Sequence, residues 1–253
     1  MTAPDLVIRA LDTELPVFLP SQGGARLREA LLRRWNRCLN EATPTSVTAE
    51  GLTLTGVGDD PTPRLSRITQ EITGALISAQ AGRLLMFHAG AVANPTTGAS
   101  LVFAAPGGTG KTTLTKTLGR HFGYLSDETV GMSAEGLIYP YPKPLSLRIT
   151  GTMTHKDESS PDSLGLLPAP AAPRLTRLVL IRRDESLRTP LVEEPPLLDA
   201  LARLIPESSS LTKLPRPLHL VADLVERTGP IQTWTYSEAE DLLDLVTDLL
   251  GEA

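Results

Sequence analysis

Eight residues near the middle of the chain have the types and the spacing of a loop that binds a triphosphate. They read Ala-Pro-Gly-Gly-Thr-Gly-Lys-Thr over positions 105–112, hereafter the glycine-rich loop. Lys111 can reach the β- and γ-phosphates, and the hydroxyl of Thr112 can bind Mg²⁺. The glycines allow backbone conformations in which successive N–H groups converge on phosphate oxygens. The residues predicted to bind the nucleotide are Pro106, Gly107, Gly108, Thr109, Gly110, Lys111, Thr112 and Thr113.

The segments on either side of the glycine-rich loop support this interpretation. An apolar run over 101–104 predicts a strand before the loop, and the pattern over 113–118 predicts a helix after it. A strand, a glycine-rich turn and a helix form the setting in which such a loop binds phosphate, because the helix start adds unpaired N–H donors. Ala105 departs from the pattern, which usually has glycine there. The sequence predicts binding of ATP or another nucleoside triphosphate together with Mg²⁺.

Two adjacent carboxylates follow the loop at a distance that suits catalysis. Asp127 lies fifteen residues beyond Thr112, at the end of an apolar segment, and Glu128 follows it. A carboxylate at a strand end facing a phosphate loop can hold Mg²⁺ or accept the proton of an attacking hydroxyl. Neighbouring residues on a strand point to opposite faces, so the two acids have different tasks. The alternative for both is a solvated acidic turn.

His88 precedes the strand of the glycine-rich loop, in the apolar run 84–92. A single histidine in such a run is more often a structural residue with satisfied hydrogen bonds than a catalyst. Its position before the loop strand is the reason to consider it.

Three strings in order give a more selective signal than the loop alone. The strings are His-Ala-Gly-Ala-Val over 88–92, Val-Phe-Ala-Ala-Pro-Gly-Gly-Thr-Gly-Lys-Thr-Thr-Leu over 102–114, and Gly-Tyr-Leu-Ser-Asp-Glu over 123–128. Together they resemble the catalytic domain of bacterial HPr kinase/phosphorylase and, still more, the smaller HPr-kinase-related proteins, some of which accompany peptide natural-product clusters. The resemblance spans residues 84–150.

The resemblance implies a serine-directed kinase with the fold shared with phosphoenolpyruvate carboxykinase. It assigns Lys111 to the phosphates as a catalytic residue, Thr112 to Mg²⁺, and Asp127 as the base toward the acceptor hydroxyl. It also assigns Glu128 to the metal or the acceptor, and His88 to the neighbourhood of the transferring phosphate. The segment 141–148 also resembles a Pro-x-Pro-Leu-x-Leu-Arg stretch of the related proteins, which makes Lys143 and Arg148 candidates for phosphate or acceptor contacts. A solvated strand edge is the equal alternative for these two.

The elements that must position these residues predict an α/β fold, a mixed sheet that carries the glycine-rich loop with helices packed on it. An N-terminal α+β extension is expected over 1–82, and a P-loop kinase-like core over 83–253. Helices are predicted over 26–39 and 65–81, edge strands over 6–10 and 15–19, and a hairpin over 130–139. We expect a long surface loop over 155–173, which is either mobile or a lid that closes over the acceptor. A last helix is expected over 237–250, with a Ser237/Glu240 capping box, and it should cover one face of the sheet.

Composition narrows the class of protein. The 253 residues carry a formal net charge of −5, which argues against broad nucleic-acid binding. Cys38 is the only cysteine, so an intrachain disulfide and a four-cysteine zinc site are excluded. The N-terminus lacks a secretory signal pattern, and apolar runs are too short to span a membrane, so a cytoplasmic protein is expected.

The sequence leaves three functions open. The first is transfer of a γ-phosphoryl group to the serine hydroxyl of a peptide or protein. The second is a nucleotide-dependent binding module without phosphoryl transfer, and the third is a degenerate member that retains the fold. The acceptor and the oligomeric state are not determined by the sequence.

Overall fold

The computed structural model describes residues 3–40, 49–55, 60–148 and 156–252. The chain forms two compact units. Unit 1 comprises Met1–Gln80 and Tyr141–Leu164, and unit 2 comprises Ala81–Pro140 and Gly165–Ala253. The chain therefore leaves unit 2 after Pro140 and re-enters it at Gly165, which a single boundary at residue 82 does not describe.

The described residues of unit 1 form two α-helices and two small sheets. The larger sheet has the strand order β3-β1-β2-β4, and β11 pairs with β12. The elements of unit 1 are β1 (Leu6–Ala10), β2 (Thr13–Phe18), α1 (Gly24–Arg34), β3 (Leu39–Asn40), β4 (Leu52–Thr53), a 3₁₀ turn (Thr62–Arg64), α2 (Leu65–Gln80), β11 (Leu145–Arg148), β12 (Lys156–Ser159) and a 3₁₀ turn (Asp162–Leu164).

The structure corrects two sequence predictions in unit 1. Strands β1 and β2 are interior rather than edge strands, because β3 and β4 flank them. Pro16 is tolerated there because β4 pairs only with the next two residues of β2. Helix α1 ends at Arg34 instead of reaching 39, since the chain turns at Trp35, whose carbonyl oxygen accepts from Cys38 N–H at 2.8 Å. Helix α2 is confirmed.

The expected surface loop over 155–173 contains regular structure between residues 156 and 164. Residue 155 lies outside the described residues. Strand β12 pairs with β11, and Glu158 within it is 2% exposed. Its carboxylate accepts hydrogen bonds from Thr69 at 3.0 Å and Ser146 at 2.6 Å. The sequence Lys-Asp-Glu-Ser has low strand propensity, so buried side-chain hydrogen bonds explain this strand better than its composition does. The lid role stays a prediction.

Unit 2 contains a six-stranded and a four-stranded sheet. The elements are β5 (Leu85–Phe87), β6 (Ala89–Ala93), β7 (Ala99–Ala104), α3 (Lys111–Leu118), β8 (Gly123–Ser126), β9 (Val130–Met132), β10 (Ile138–Tyr139), β13 (Arg174–Arg183), β14 (Leu191–Glu193), α4 (Leu197–Leu204), a 3₁₀ turn (Ile205–Glu207), β15 (Ser208–Ser209), a 3₁₀ turn (Leu211–Lys213), α5 (Pro217–Thr228), β16 (Gln232–Tyr236), a 3₁₀ turn (Ala239–Leu242) and α6 (Leu243–Leu250).

The six-stranded sheet has the order β14-β16-β13-β7-β6-β8 and the smaller one the order β10-β9-β5-β15. Strand β7, which leads into the glycine-rich loop, pairs in parallel with β13 and antiparallel with β6. The predicted mixed α/β class is therefore confirmed, as is the β9–β10 hairpin.

Side chains of β7 point alternately to the two faces of the sheet, and each face packs against a different core. Val102 and Ala104 belong to a core that includes residues of α4 and α5, whereas Leu101 and Phe103 belong to a second core with residues of α3 and α6. The prediction that the last helix covers one face of the sheet is confirmed.

The capping box predicted at the start of this last helical region is wrong. The capping box is formed by Glu238 and Asp241 instead of Ser237 and Glu240, and a 3₁₀ turn precedes α6. The chain thus enters the helix one residue later than the Ser237 pattern indicates.

The apolar run 84–92 forms two strands rather than one. Strand β5 joins the four-stranded sheet and β6 joins the six-stranded sheet, with His88 between them. The two sheets thus meet at His88, which places this residue where strands from both sheets end.

Candidate functional site

The backbone of the glycine-rich loop is left-handed at two of its glycines. Gly108 and Gly110 have φ angles of 86° and 98°, in the left-handed region that favours glycine. Gly110 is the N-cap of α3, so the helix begins at Lys111. Ala105 is buried and does not have a positive φ. The side chain at position 105 is therefore accommodated without backbone strain.

The exposed part of the loop leaves room for a ligand. A Cβ atom added at Gly107 or Gly108 would meet nothing within 4 Å. At Gly110 the nearest atom to such a Cβ would be the hydroxyl oxygen of Tyr236, at 3.6 Å. Burial raises the pKa of Tyr236 to about 12, so its hydroxyl stays neutral beside the loop at physiological pH. A phosphate group could approach the backbone at 107–108 without meeting a side chain.

Lys111 lies folded back on the loop that precedes it. Its ammonium group donates to the carbonyl oxygens of Ala105 and Pro106, the latter at 3.2 Å, and the residue is 6% exposed. Burial is the largest influence on the ammonium and lowers its pKa. Three carboxylates oppose that shift, in order of size those of Glu207, Asp127 and Glu128. The loop lysine therefore lies within the field of three acids.

Asp127 follows β8 directly and is 4% exposed, while Glu128 is half-buried. The hydroxyl of Tyr124 donates to Asp127 Oδ1 at 3.1 Å. The turn after β8 is held by Ser126, whose Oγ accepts from the backbone N–H groups of Glu128 and Thr129 at 3.3 Å each. The bend ends the strand at the acid pair and fixes the backbone that carries both carboxylates.

His88 is half-buried and is bound through both its backbone and its ring. Its N–H donates to the carbonyl oxygen of Glu207 at 2.6 Å. Ring Nδ1 lies 2.9 Å from the carbonyl oxygen of Glu128. The structure thus brings His88 next to the backbone of two acids whose charges act on Lys111.

Glu207 is a site residue that sequence reasoning missed. It ends a 3₁₀ turn, and the next residue, Ser208, pairs with Phe87 in the four-stranded sheet. Nothing in the local sequence marks it, because its neighbours at the site are about 80 to 120 positions away in the chain. A prediction of the β5–β15 pairing would have been needed to find it.

The threonines of the loop differ in environment. Thr109 Oγ1 donates to the carbonyl oxygen of Pro106 at 2.8 Å, which tightens the turn. Thr112 is half-buried in the first turn of α3, and Thr113 is exposed. Among the residues that the structure describes, no group of three or more His, Cys, Asp or Glu side chains could hold a metal ion.

Lys143 and Arg148 belong to unit 1, whereas the glycine-rich loop and the acid pair belong to unit 2. Lys143 is 1% exposed, and its ammonium donates to the carbonyl oxygen of Pro144 at 3.0 Å. Its positive charge also acts on the buried thiol of Cys38. This burial favours a structural role for Lys143 over contact with a dissolved acceptor. Arg148 ends β11, and its side chain is outside the described part of the chain.

The fold is distantly similar to that of a solved bacterial protein, the HPr(Ser) kinase/phosphatase from Coxiella burnetii. The match covers 65% of this chain and 92% of that chain, at 12% sequence identity and a TM-score of 0.34. No protein-family model matches the chain, and no curated protein matches it. The relationship is a distant structural one, so the assignment of a function rests on the side chains around the glycine-rich loop.

Across the described ranges, none of the helices combines the length and the apolar character that crossing a membrane requires.

Proposed function

We propose that this protein is an ATP-dependent phosphotransferase of the P-loop kinase type, which transfers a γ-phosphoryl group to a serine hydroxyl of a peptide or protein. The observation that carries the proposal is the position of Lys111 in the glycine-rich loop, within the electrostatic range of the buried carboxylate of Asp127. A loop that only binds nucleotide needs the lysine, whereas phosphoryl transfer to an alcohol also needs a base beside it.

Binding of the triphosphate uses the loop backbone. The open space at Gly107 and Gly108 admits phosphate oxygens, and the start of α3 supplies unpaired N–H groups and a partial positive charge. Lys111 exchanges its two carbonyl acceptors for phosphate oxygens, which bind an ammonium more strongly because they are charged.

The residues present fit a magnesium ion bound together with the nucleotide. Thr112 would offer its hydroxyl and Glu128 its carboxylate, both hard oxygen ligands of the kind Mg²⁺ prefers. When bound, the ion neutralises phosphate charge.

Phosphoryl transfer takes place between the γ-phosphorus of ATP and the acceptor hydroxyl. The acceptor oxygen forms a bond to the γ-phosphorus while the bond between that phosphorus and the β,γ-bridging oxygen breaks, which releases ADP. Asp127 takes the proton of the acceptor hydroxyl, and Lys111 offsets the charge on the phosphoryl oxygens. His88, at the junction of the two sheets, orients the transferring group. The acceptor is a peptide or protein, and neither nucleic acid nor a membrane is needed for this reaction.

The test is incubation with labelled ATP, Mg²⁺ and a panel of serine-containing peptides. Asp127→Asn should reduce transfer by about 10²- to 10⁴-fold, the usual contribution of a general base. Its Kd for Mg-ATP, measured by calorimetry, should stay within about threefold of wild type, because the loop is untouched. Asp223→Asn makes the same charge change at an exposed site on α5 and serves as the control. If Asp127→Asn retains full turnover, the binding-module function is favoured.

A further inference from the structure

Tyr124 makes a contact that neither the loop nor the acid pair explains. It lies on β8, its side chain is fully buried, and its hydroxyl is 3.1 Å from Asp127 Oδ1. The phenolic O–H donates this hydrogen bond, and the carboxylate oxygen accepts it. A buried hydroxyl needs a partner, and this one is bonded to the proposed catalytic base.

The backbone of Tyr124 is fixed on both sides. Tyr124 pairs with Val92 of β6, and its N–H donates to the carbonyl oxygen of Leu167 at 3.0 Å. The aromatic ring is enclosed within the interior of unit 2. The hydroxyl is therefore presented from a rigid point of the sheet, whereas Asp127 lies in the bend that follows the strand.

We propose that Tyr124 is a positioning residue, which holds Asp127 Oδ1 so that the carboxylate is oriented for the acceptor hydroxyl. This inference rests on the proposed phosphotransferase function. A base acts efficiently only within hydrogen-bond reach of the proton that it removes, so loss of this restraint should affect the transfer step more than nucleotide binding.

The test compares kcat and KM of Tyr124→Phe with those of wild type. The substitution keeps the ring and removes one oxygen atom. We expect kcat for phosphoryl transfer to fall about 10- to 100-fold, the loss seen when a supporting partner of an active residue is removed. The KM for Mg-ATP should remain within about twofold. Tyr139→Phe, which changes a half-buried tyrosine on β10, is the matched control and should leave kcat unchanged.

A double-mutant cycle separates positioning from general damage. In the Asp127→Asn background, Tyr124→Phe should cause no further loss of transfer, because the base that it holds is already gone. Equal losses in both backgrounds would assign Tyr124 to stability alone and overturn the inference. Wild-type kcat for Tyr124→Phe would overturn it as well.

A spectroscopic readout works without turnover. In protein labelled with ¹³C-carboxyl aspartate, the Asp127 resonance should shift in Tyr124→Phe and remain in place in Tyr139→Phe. An unmoved resonance refutes the contact itself. If Tyr124→Phe does not fold, 3-fluorotyrosine incorporated at position 124 keeps the ring and strengthens the donor, and kcat should change at least about twofold.

The failure of the inference and the failure of the proposed function look different. If wild-type protein takes up no Mg-ATP in calorimetry, the phosphotransferase assignment fails and the positioning role falls with it, whatever the resonance does. If wild type transfers phosphate and Tyr124→Phe does so equally well, only the role of Tyr124 is lost.

Discussion

Ring Nδ1 of His88 lies 2.9 Å from the backbone carbonyl oxygen of Glu128. A carbonyl oxygen only accepts hydrogen bonds, so Nδ1 must carry a proton. In the neutral ring, Nε2 is then the acceptor nitrogen. One backbone oxygen of the acid pair therefore selects the tautomer of the histidine, which defines what the ring can do in the site.

This relationship predicts the behaviour of His88 variants. His88→Asn retains a side-chain N–H near the position of Nδ1, so its thermal stability should stay near wild type. Phosphoryl transfer should fall about 100-fold, because the acceptor nitrogen Nε2 is lost. Long-range ¹H–¹⁵N NMR of the wild type should show a protonated Nδ1. Full activity of His88→Asn would assign the ring to structure only.

Lys111 is expected to lower the stability of the folded protein and to strengthen its binding of nucleotide. Burial lowers its ammonium pKa, so the charged form costs the folded state free energy. Lys111→Met removes that cost, and its free energy of unfolding at pH 7 should equal or exceed that of wild type. Its affinity for Mg-ATP should fall about 10- to 100-fold, since a charge-assisted hydrogen bond to phosphate is lost. Urea denaturation and calorimetry measure the two quantities.

The same residue gives a pH dependence. The folded-state pKa of Lys111 lies below its ordinary value of 10.5. As the pH rises through the folded pKa toward 10.5, the folded protein releases the proton before the unfolded chain does. The free energy of unfolding therefore rises in that window, and the cost is present in full below it. The difference in stability between wild type and Lys111→Met should change with pH in that sense. A difference that is constant between pH 7 and pH 10.5 contradicts the burial argument.

Glu207 should weaken nucleotide binding through its charge. It is the carboxylate with the largest effect on the Lys111 ammonium, and a triphosphate placed there meets the same negative field. Glu207→Gln should bind ATP without Mg²⁺ about three- to tenfold more tightly at low salt.

The matched control for this charge effect is Glu226→Gln, which removes the same charge from an exposed position on α5. It should leave the affinity unchanged. Raising the salt concentration to about 1 M should shrink the effect of Glu207→Gln. Equal gains from both variants would indicate a general charge effect rather than a local one.

Alanine substitutions at the loop glycines should differ in their effect on stability, because the backbone conformation differs between the positions. Gly110→Ala places a Cβ on a residue with φ of 98°, so it should lose about 1 to 2 kcal/mol of stability. Gly107→Ala has neither a positive φ nor a nearby atom, and its melting temperature should match wild type.

A methyl group at 107 would nevertheless lie where phosphate approaches, so Gly107→Ala should bind ATP more weakly without being less stable. Thermal melting and calorimetry of the two alanine variants test this together. Wild-type ATP affinity of Gly107→Ala would place the phosphates elsewhere on the loop.

Much of the local structure follows from residue order. The strand before the loop, the helix after it and the apolar face of α2 depend on side chains a few positions apart, so periodicity predicts them. The same reasoning was wrong for β12, where the buried carboxylate of Glu158 accepts hydrogen bonds from Thr69 and Ser146 in other parts of unit 1. It was also wrong for the capping box, where Glu238 and Asp241 take the roles expected of Ser237 and Glu240.

Some residues of the candidate site follow from the sequence alone, and others follow only from the tertiary structure. The sequence by itself determined the glycine-rich loop and marked Asp127, because both depend on short motifs whose chemistry is local. Only the tertiary structure decided that Glu207 lies beside His88, that Tyr124 holds Asp127 and that Lys143 is interior. These neighbours are created by strand pairing and by burial, which bring together residues that no local pattern connects.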